Sequence, residues 1–211
     1  MQLFSYTVGP FAENTYLLVE SGKGILVDPG FHKQNEFEKA REELESQSAE
    51  LIAVVLTHAH VDHILGLNRV LEVFDVPVYL SEKDRYLWNN YASQAQMFGF
   101  NVESIDADPK PLPISNSWQL GPFDFDVRYT PGHAPDHVVL YSQKDGLVIA
   151  GDTLFKQGIG RTDLYKGNFG RLEQSIREQL YTLPGDTDIY PGHGPKTTVD
   201  YEKSNNPFVK V

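Results

Sequence analysis

The chain of 211 residues contains no cysteine. That excludes disulfides, a thiolate nucleophile and Cys-ligated zinc, and it leaves histidine and carboxylate as the side chains open to a transition metal. Clustered Lys and Arg are also missing. With 18 basic against 29 acidic residues the formal net charge is −11, the opposite of a nucleic-acid-binding surface. No apolar stretch approaches the roughly 20 residues that span a bilayer, and Met1-Gln2-Leu3-Phe4-Ser5-Tyr6 is not a basic segment followed by an apolar run. These absences point to a cytoplasmic protein with neither nucleic acid nor membrane as partner, its oligomeric state left open. The length suits one domain over residues 1–211, large enough to bury its own core.

What is present in quantity is a ligand cluster. Thr57-His58-Ala59-His60-Val61-Asp62-His63 follows the apolar run Leu51-Ile52-Ala53-Val54-Val55-Leu56, which reads as a buried strand. On extended backbone, positions two apart face the same way, so His58 and His60 converge on one ion. Ile64, Leu67, Val70, Leu71 and Phe74 keep helical spacing, which places Asp62 and His63 in the turn that opens a helix. A single histidine at a strand end is ordinarily a hydrogen-bonded structural residue. Three histidines and an aspartate within six positions would be costly to bury without a cation.

The rest of the chain repeats this delivery. Residues 2 to 8, 14 to 19 and 24 to 28 read as a meander that ends at Asp28-Pro29-Gly30, where Asp28 is expected to be a turn former rather than a ligand. His32 is expected on the surface. Asn35 with Glu38 suggests an N-cap pair for a helix that buries Phe37, Ala40 and Leu44. Val76 to Leu80 predicts a strand, and Ser81 and Asp84 open a helical stretch whose aromatic residues between 85 and 100 are expected in the core. Residues 106 to 117 are expected to be a loop, 118 to 120 and 123 to 129 strands, and 171 to 183 a helix. Strand exits again carry the polar residues His133 in Thr130-Pro131-Gly132-His133, Asp152 in Gly151-Asp152, and His193 in Pro191-Gly192-His193-Gly194. Imidazole and carboxylate donors in that number suit two ions that share a bridging carboxylate.

The ordered motifs THAHVDH, TPGH, GD and PGHGP, at residues 57 to 195, resemble the signature of metallo-β-lactamase-fold hydrolases. Gly158-Ile159-Gly160-Arg161-Thr162-Asp163-Leu164, Thr197 to Lys203, and Asn206-Pro207-Phe208 are similar to short glyoxalase II-like, hydroxyacylglutathione hydrolase-like proteins. The resemblance implies an α/β fold, an αββα sandwich of two mixed sheets flanked by helices. It implies that His58, His60 and His133 hold a first divalent ion and Asp62, His63 and His193 a second. Asp152 would bridge them, and Asp62 and Asp152 would be the carboxylates of the catalytic centre. Zinc is the expected metal, with iron and manganese as alternatives. His137, beside the ligand set, is expected to orient rather than ligate. The implied reaction is attack of metal-bound hydroxide on a small-molecule thioester such as an S-acylglutathione. Arg161 and Lys156, in the loop after Asp152, are expected either to meet a substrate carboxylate at the pocket mouth or, for Arg161, to pair with Asp163 or another carboxylate and brace the loop. A separate C-terminal glutathione-binding helical domain is not expected after PGHGP. Two rivals carry over: a mononuclear iron persulfide dioxygenase, and a non-catalytic metal-stabilised binding module.

Overall fold

A computed structural model of the chain describes residues 1–210. They form two compact units, residues 1–112 with 121–123, and residues 113–120 with 124 onward. The first unit opens with the meander β1 (Gln2–Val8), β2 (Glu13–Glu20) and β3 (Lys23–Val27). There follow α1 (Gln34–Ser46), β4 (Glu50–Val55), α2 (Val61–Ile64), α3 (Leu67–Leu71), β5 (Val78–Leu80), α4 (Tyr86–Asn89), α5 (Tyr91–Met97) and β6 (Lys110–Pro111). The sheet runs in the order β1-β2-β3-β4-β5-β6, antiparallel across the meander and parallel from β3 to β6. Ile25, Leu26 and Val27 of β3 and Ala53, Val54 and Val55 of β4 have no exposed surface. Such unbroken apolar runs are what parallel strands covered on both faces require. The carboxyl ends of these strands are where open α/β sheets carry their ligands, and the His58 to His63 segment leaves the sheet there.

The second unit contains β7 (Ser115–Leu120), β8 (Phe123–Tyr129), β9 (Val138–Ser142), β10 (Leu147–Gly151), the hairpin β11 (Leu154–Phe155) and β12 (Gly158–Ile159), and α6 (Phe169–Ser175). A π-helical turn, Ile176–Leu180, continues α6, and β13 (Asp188–Pro191), β14 (Thr197–Thr198) and α7 (Val199–Asn205) complete it. Its sheet order is β14-β13-β10-β9-β8-β7, with β10 and β13 parallel and β9 antiparallel to both β8 and β10. Val148, Ala150, Ile176, Leu180 and Ile189 lie in a buried apolar cluster beneath it.

Two mixed sheets with flanking helices are therefore present, as the fold class requires, but several local expectations need correction. Helix α1 begins one residue before Asn35, and the carboxylate that collects the backbone N–H groups at its start is Glu36, which accepts from Gly9, His32 and Lys33. Glu38 pairs with Arg41 instead. The single helix read after the ligand cluster is two short helices broken at Leu65-Gly66. Aromatic density after Ser81 does not all enter the core: Leu87 and Tyr91 are buried, whereas Tyr86, Met97 and Phe98 are exposed. The strand expected at 118 to 120 is present but starts earlier, at Ser115, and residues 110–111 also pair as a strand, so part of the segment 106 to 117 expected to be a loop forms backbone ladders despite its prolines.

Candidate metal centre

Four of the candidate ligands lie on the first unit's loop after β4, from His58 to α2. The His58 and His60 ring centroids are 4.8 Å apart and those of His58 and His63 4.2 Å apart. His58 and His63 are wholly buried, His60 is 7% exposed, and Asp62 reaches solvent. Asp62 Oδ2 lies 3.9 Å from His63 Nε2.

The surrounding hydrogen bonds determine which nitrogen of each ring can bind a cation. Asp28 Oδ1 accepts from the Thr57 N–H at 2.7 Å, and Oδ2 accepts from the Thr57 hydroxyl at 2.6 Å and from His63 Nδ1 at 3.0 Å. A carboxylate only accepts, so the His63 proton sits on Nδ1 and its lone pair on Nε2. Thr57 has given its single hydroxyl proton to Asp28, so its oxygen accepts from His58 Nδ1, 3.0 Å away. That leaves His58 Nε2 with a lone pair too. One carboxylate thus orients two imidazoles, as partners beyond the ligands do in metal sites.

Donor atoms of Asp28, His58 and His63 do lie within 4.8 Å of one another. With both of its oxygens engaged by three donors, Asp28 is nevertheless an orienting group. It is a turn residue, as expected, with φ of 50° and its carbonyl accepting from Gly30 N–H. Its carboxylate acts 29 and 35 residues away in sequence, on Thr57 and His63.

Glu13 completes this environment and was not anticipated. It is 1% exposed, accepts from the Thr15 hydroxyl at 2.9 Å, and places Oε1 3.8 Å from His63 Nδ1. Burial, opposed by the nearby His63, holds its carboxyl well above the usual carboxylate range. In sequence it stands one residue before the strand expected over 14 to 19, and in the fold it begins β2.

The remaining three candidates come together in the second unit. β10 and β13 are parallel, with Gly151 opposite Pro191, so their exits place Asp152 and His193 side by side. Gly192 N–H donates to the Gly151 carbonyl at 2.7 Å, which fixes that register. Asp152 Oδ2 lies 3.4 Å from His133 Nε2 and 3.5 Å from His193 Nε2. His133 is carried by the turn between β8 and β9. Gly132 in that turn has φ of +136°, and a Cβ there would stand 2.3 Å from Leu172 N, so no other residue fits.

His133 Nδ1 lies 2.8 Å from the Arg161 carbonyl, which can only accept, so the proton is on Nδ1 and the lone pair on Nε2. Two acceptors, that lone pair and Asp152 Oδ2, therefore face each other across 3.4 Å. A cation between them turns this repulsion into ligation, so the donor chemistry fits a metal.

His137 is not a ligand. Its Nε2 accepts from the Asp152 N–H at 2.9 Å, which leaves the proton on Nδ1 for the hydroxyls of Thr130 at 2.9 Å and Thr153 at 3.2 Å. It ties the His133 turn to the Asp152 exit. The Arg161 guanidinium forks onto Asp163 with two bonds of 2.7 Å, and Lys156 Nζ stands 5.5 Å above the Tyr201 ring. Arg161 remains 56% exposed at its side chain.

Mixed sheets that present histidines and an aspartate together at strand exits fit a metal-binding α/β protein. Residues 8–193 match the model of the Metallo-beta-lactamase superfamily, and the chain belongs to that superfamily. It is 40% identical over 201 residues to a Streptococcus pyogenes serotype M6 protein named as a probable metallo-hydrolase, covering 93% of this chain and 85% of that one. It is 34% identical over 205 residues to the hydroxyacylglutathione hydrolase GloC of Haemophilus influenzae, covering 96% and 95%. Among solved structures, BLEG-1 B3 metallo-beta-lactamase superposes with a TM-score of 0.87 at 34% identity over the whole of both chains. TTHA1623 in a di-iron-bound form gives 0.87 at 34% over 98% of this chain and 100% of that one. ETHE1 from Myxococcus xanthus gives 0.79 at 25% over 98% and 84%. The chain is accordingly a metallo-hydrolase of the metallo-β-lactamase fold.

Proposed function

We propose that this metallo-hydrolase cleaves thioesters of the S-acylglutathione type at a centre of two divalent ions. His58, His60 and His133 would hold the first, Asp62, His63 and His193 the second, with Asp152 shared between them. The observation that carries this reading is the placing of Asp152 Oδ2 at nearly equal distance, 3.4 and 3.5 Å, from the Nε2 atoms of two imidazoles assigned to different ions. Bound ions supply a hydroxide at neutral pH and a Lewis acid for the acyl carbonyl. The chain's own contribution is orientation. Asp28, Thr57 and the Arg161 carbonyl leave the Nε2 lone pairs of His63, His58 and His133 open to a cation. The thiolate product leaves readily, its pKa being only about 8.5, so no strong general acid is required.

Likeness to GloC supports the thioester. Zinc is the proposed metal, and the di-iron form of TTHA1623 makes iron the alternative. Arg161 and Lys156 are proposed at the pocket mouth, where Arg161 keeps N–H donors beyond the two it gives Asp163 to meet a substrate carboxylate.

A second reading, a mononuclear iron persulfide dioxygenase, fits the likeness to ETHE1. Three assays on protein reconstituted with zinc, iron or manganese decide between them: thiol release from S-lactoylglutathione and neutral thioesters, oxygen uptake with glutathione persulfide, and turnover of a chromogenic cephalosporin. The proposal expects thiol release without oxygen uptake and with cephalosporin turnover slower by orders of magnitude. Oxygen uptake without thioester cleavage in any metal form overturns it, and so does efficient cephalosporin cleavage alone.

A further inference from the structure

The C-terminal segment has a definite place in the second unit that the ligand set does not explain. Glu202, on α7, has no exposed surface, yet its carboxylate is fully engaged. Oε1 accepts from the Thr197 hydroxyl at 2.6 Å, and Oε2 accepts from the Gln157 N–H at 2.9 Å and from Asn206 Nδ2 at 2.9 Å. Asn206 Nδ2 also donates to the Gly158 carbonyl at 3.1 Å, while its Oδ1 accepts from the N–H groups of Phe208 and Val209. Gln157 and Gly158 are the turn and return of the β11–β12 hairpin, and Gln157 sits at φ of 56°, an unfavourable conformation that needs outside support.

That hairpin leads directly to the ligands. It starts two residues after Asp152 and returns at Gly160, where a Cβ would come within 1.9 Å of the Asp152 carbonyl oxygen and 3.0 Å of His133 Cγ. Only a glycine lets the returning strand lie against both. The next residue, Arg161, is the one whose carbonyl takes the His133 Nδ1 proton. Its fork onto Asp163 steadies the same short stretch.

We propose that Glu202, with Asn206, is a positioning residue for His133: by clamping Gln157 and Gly158 it sets the hairpin that holds the Arg161 carbonyl on His133 Nδ1. It touches neither substrate nor metal. The inference rests on the reading of His133 as a metal ligand, though not on what the enzyme cleaves. It assigns the buried carboxylate of α7 a task in the centre beyond packing.

The substitutions separate positioning from bulk stability. Glu202→Gln can keep every contact, since an amide oxygen in the Oε2 position still accepts from Gln157 and Asn206 while the NH2 group donates to the Thr197 hydroxyl oxygen. Glu202→Leu keeps the bulk and loses all three bonds. Asn206→Asp keeps the acceptor used by Phe208 and Val209 but faces Gly158 and Glu202 with oxygen. Leu180→Ala, in the buried cluster of the same unit, serves as a purely destabilising control.

Each variant is studied well below its melting temperature by long-range 1H–15N NMR of the metal-free protein, which reports whether the His133 proton is on Nδ1. Amide exchange at Gln157 and zinc affinity against a chromophoric chelator complete the set. Glu202→Leu is expected to lose the Nδ1-protonated signature, to speed Gln157 exchange at least ten-fold and to weaken zinc binding about ten-fold or more. Glu202→Gln and Leu180→Ala are expected to keep all three. Should Glu202→Leu fail to fold, Asn206→Asp decides, with the same losses expected. A His133 signature and zinc affinity unchanged from wild type in the folded variant overturn the proposal, as does an equal loss in Leu180→Ala. The imidazole signature is read without metal or substrate, so a wild-type protein that cleaves no thioester leaves this test standing.

Discussion

Replacing Asp28 by Asn should damage the centre without removing any ligand. The backbone is not disturbed, because Asp28 lies at φ of 50° and asparagine tolerates that region at least as well. The side-chain size is also unchanged. What changes is the direction of two hydrogen bonds. If the amide oxygen stays with the Thr57 N–H, the NH2 group occupies the Oδ2 position and points its protons at the Thr57 hydroxyl and at His63 Nδ1, where two donors now arrive. His63 must then accept at Nδ1 and carry its proton on Nε2. Thr57, whose oxygen now accepts a hydrogen bond from the introduced amide, turns its own O–H toward His58 Nδ1, and His58 too is driven to the Nε2-protonated form. Both ligand lone pairs are lost. The reverse rotamer sets NH2 against a backbone N–H and leaves that buried group unsatisfied, at about 1–3 kcal/mol.

Restoring a ligating tautomer in the variant sets donor against donor and leaves a buried polar group unsatisfied, at about 1–3 kcal/mol each. Two such groups make about 2–6 kcal/mol, or roughly a 10- to 10⁴-fold loss of metal affinity at 1.4 kcal/mol per factor of ten. Mutation of such outer partners typically costs about 10- to 100-fold per ligand, which agrees. The assay is competitive zinc titration against a chelator of known affinity, with circular dichroism and a melting curve on the metal-free variant. Zinc affinity within about three-fold of wild type in a folded Asp28→Asn protein would refute the tautomer argument.

Other substitutions probe different parts of the centre. Asp152→Ala should weaken both ions together, read by mass spectrometry of metal content at graded zinc; loss of one ion alone contradicts the bridge. Arg161→Ala should raise KM about ten-fold or more for carboxylate-bearing thioesters, roughly 1.4 kcal/mol, and spare neutral ones; equal losses for both would assign the residue to bracing the loop. Tyr181 is buried and donates to the carbonyls of Glu202 and Val209 at 3.2 and 3.1 Å, so Tyr181→Phe should cost about 1–2 kcal/mol in denaturant unfolding. Burial pushes the Tyr181 phenol up to about 12. The native state therefore keeps a proton that the unfolded chain releases near 10, and stability falls as pH rises between those values. The variant should lose that part of the slope.

How much of this was readable beforehand follows from the range over which each determinant acts. Strands β4, β8, β10 and β13 declare themselves through short apolar or alternating runs, and the polar residue after each is a ligand candidate because a strand's exit is where its side chains leave the core. Hence His58, His133, Asp152 and His193 all stand out as candidates from local pattern. Helix ends were less legible. Glu36 caps α1 partly through the Gly9 N–H, 27 residues away, and no local window contains that contact. Met97 and Phe98 have the composition of core residues, but burial depends on what packs above them, and they lie exposed.

The orienting groups were the least legible, and the reason is geometric. The candidate ligands sit at strand exits or in the turn that follows, Asp62 and His63 on α2 directly after β4, which restricts where they can occur in the chain, whereas the acceptor for a ligand's second nitrogen needs only to lie in the next layer. Asp28 reaches His63 across 35 residues, and the Arg161 carbonyl reaches His133 across 28. In the second case the group is backbone, so no side-chain identity marks it at all. Glu202 lies further out, acting on Gln157 across 45 residues. Each step away from the metal ligands lengthens the sequence separation and weakens the chemical signature, so ligand sets are read from one-dimensional spacing while the protonation states that let them bind are fixed by the tertiary fold.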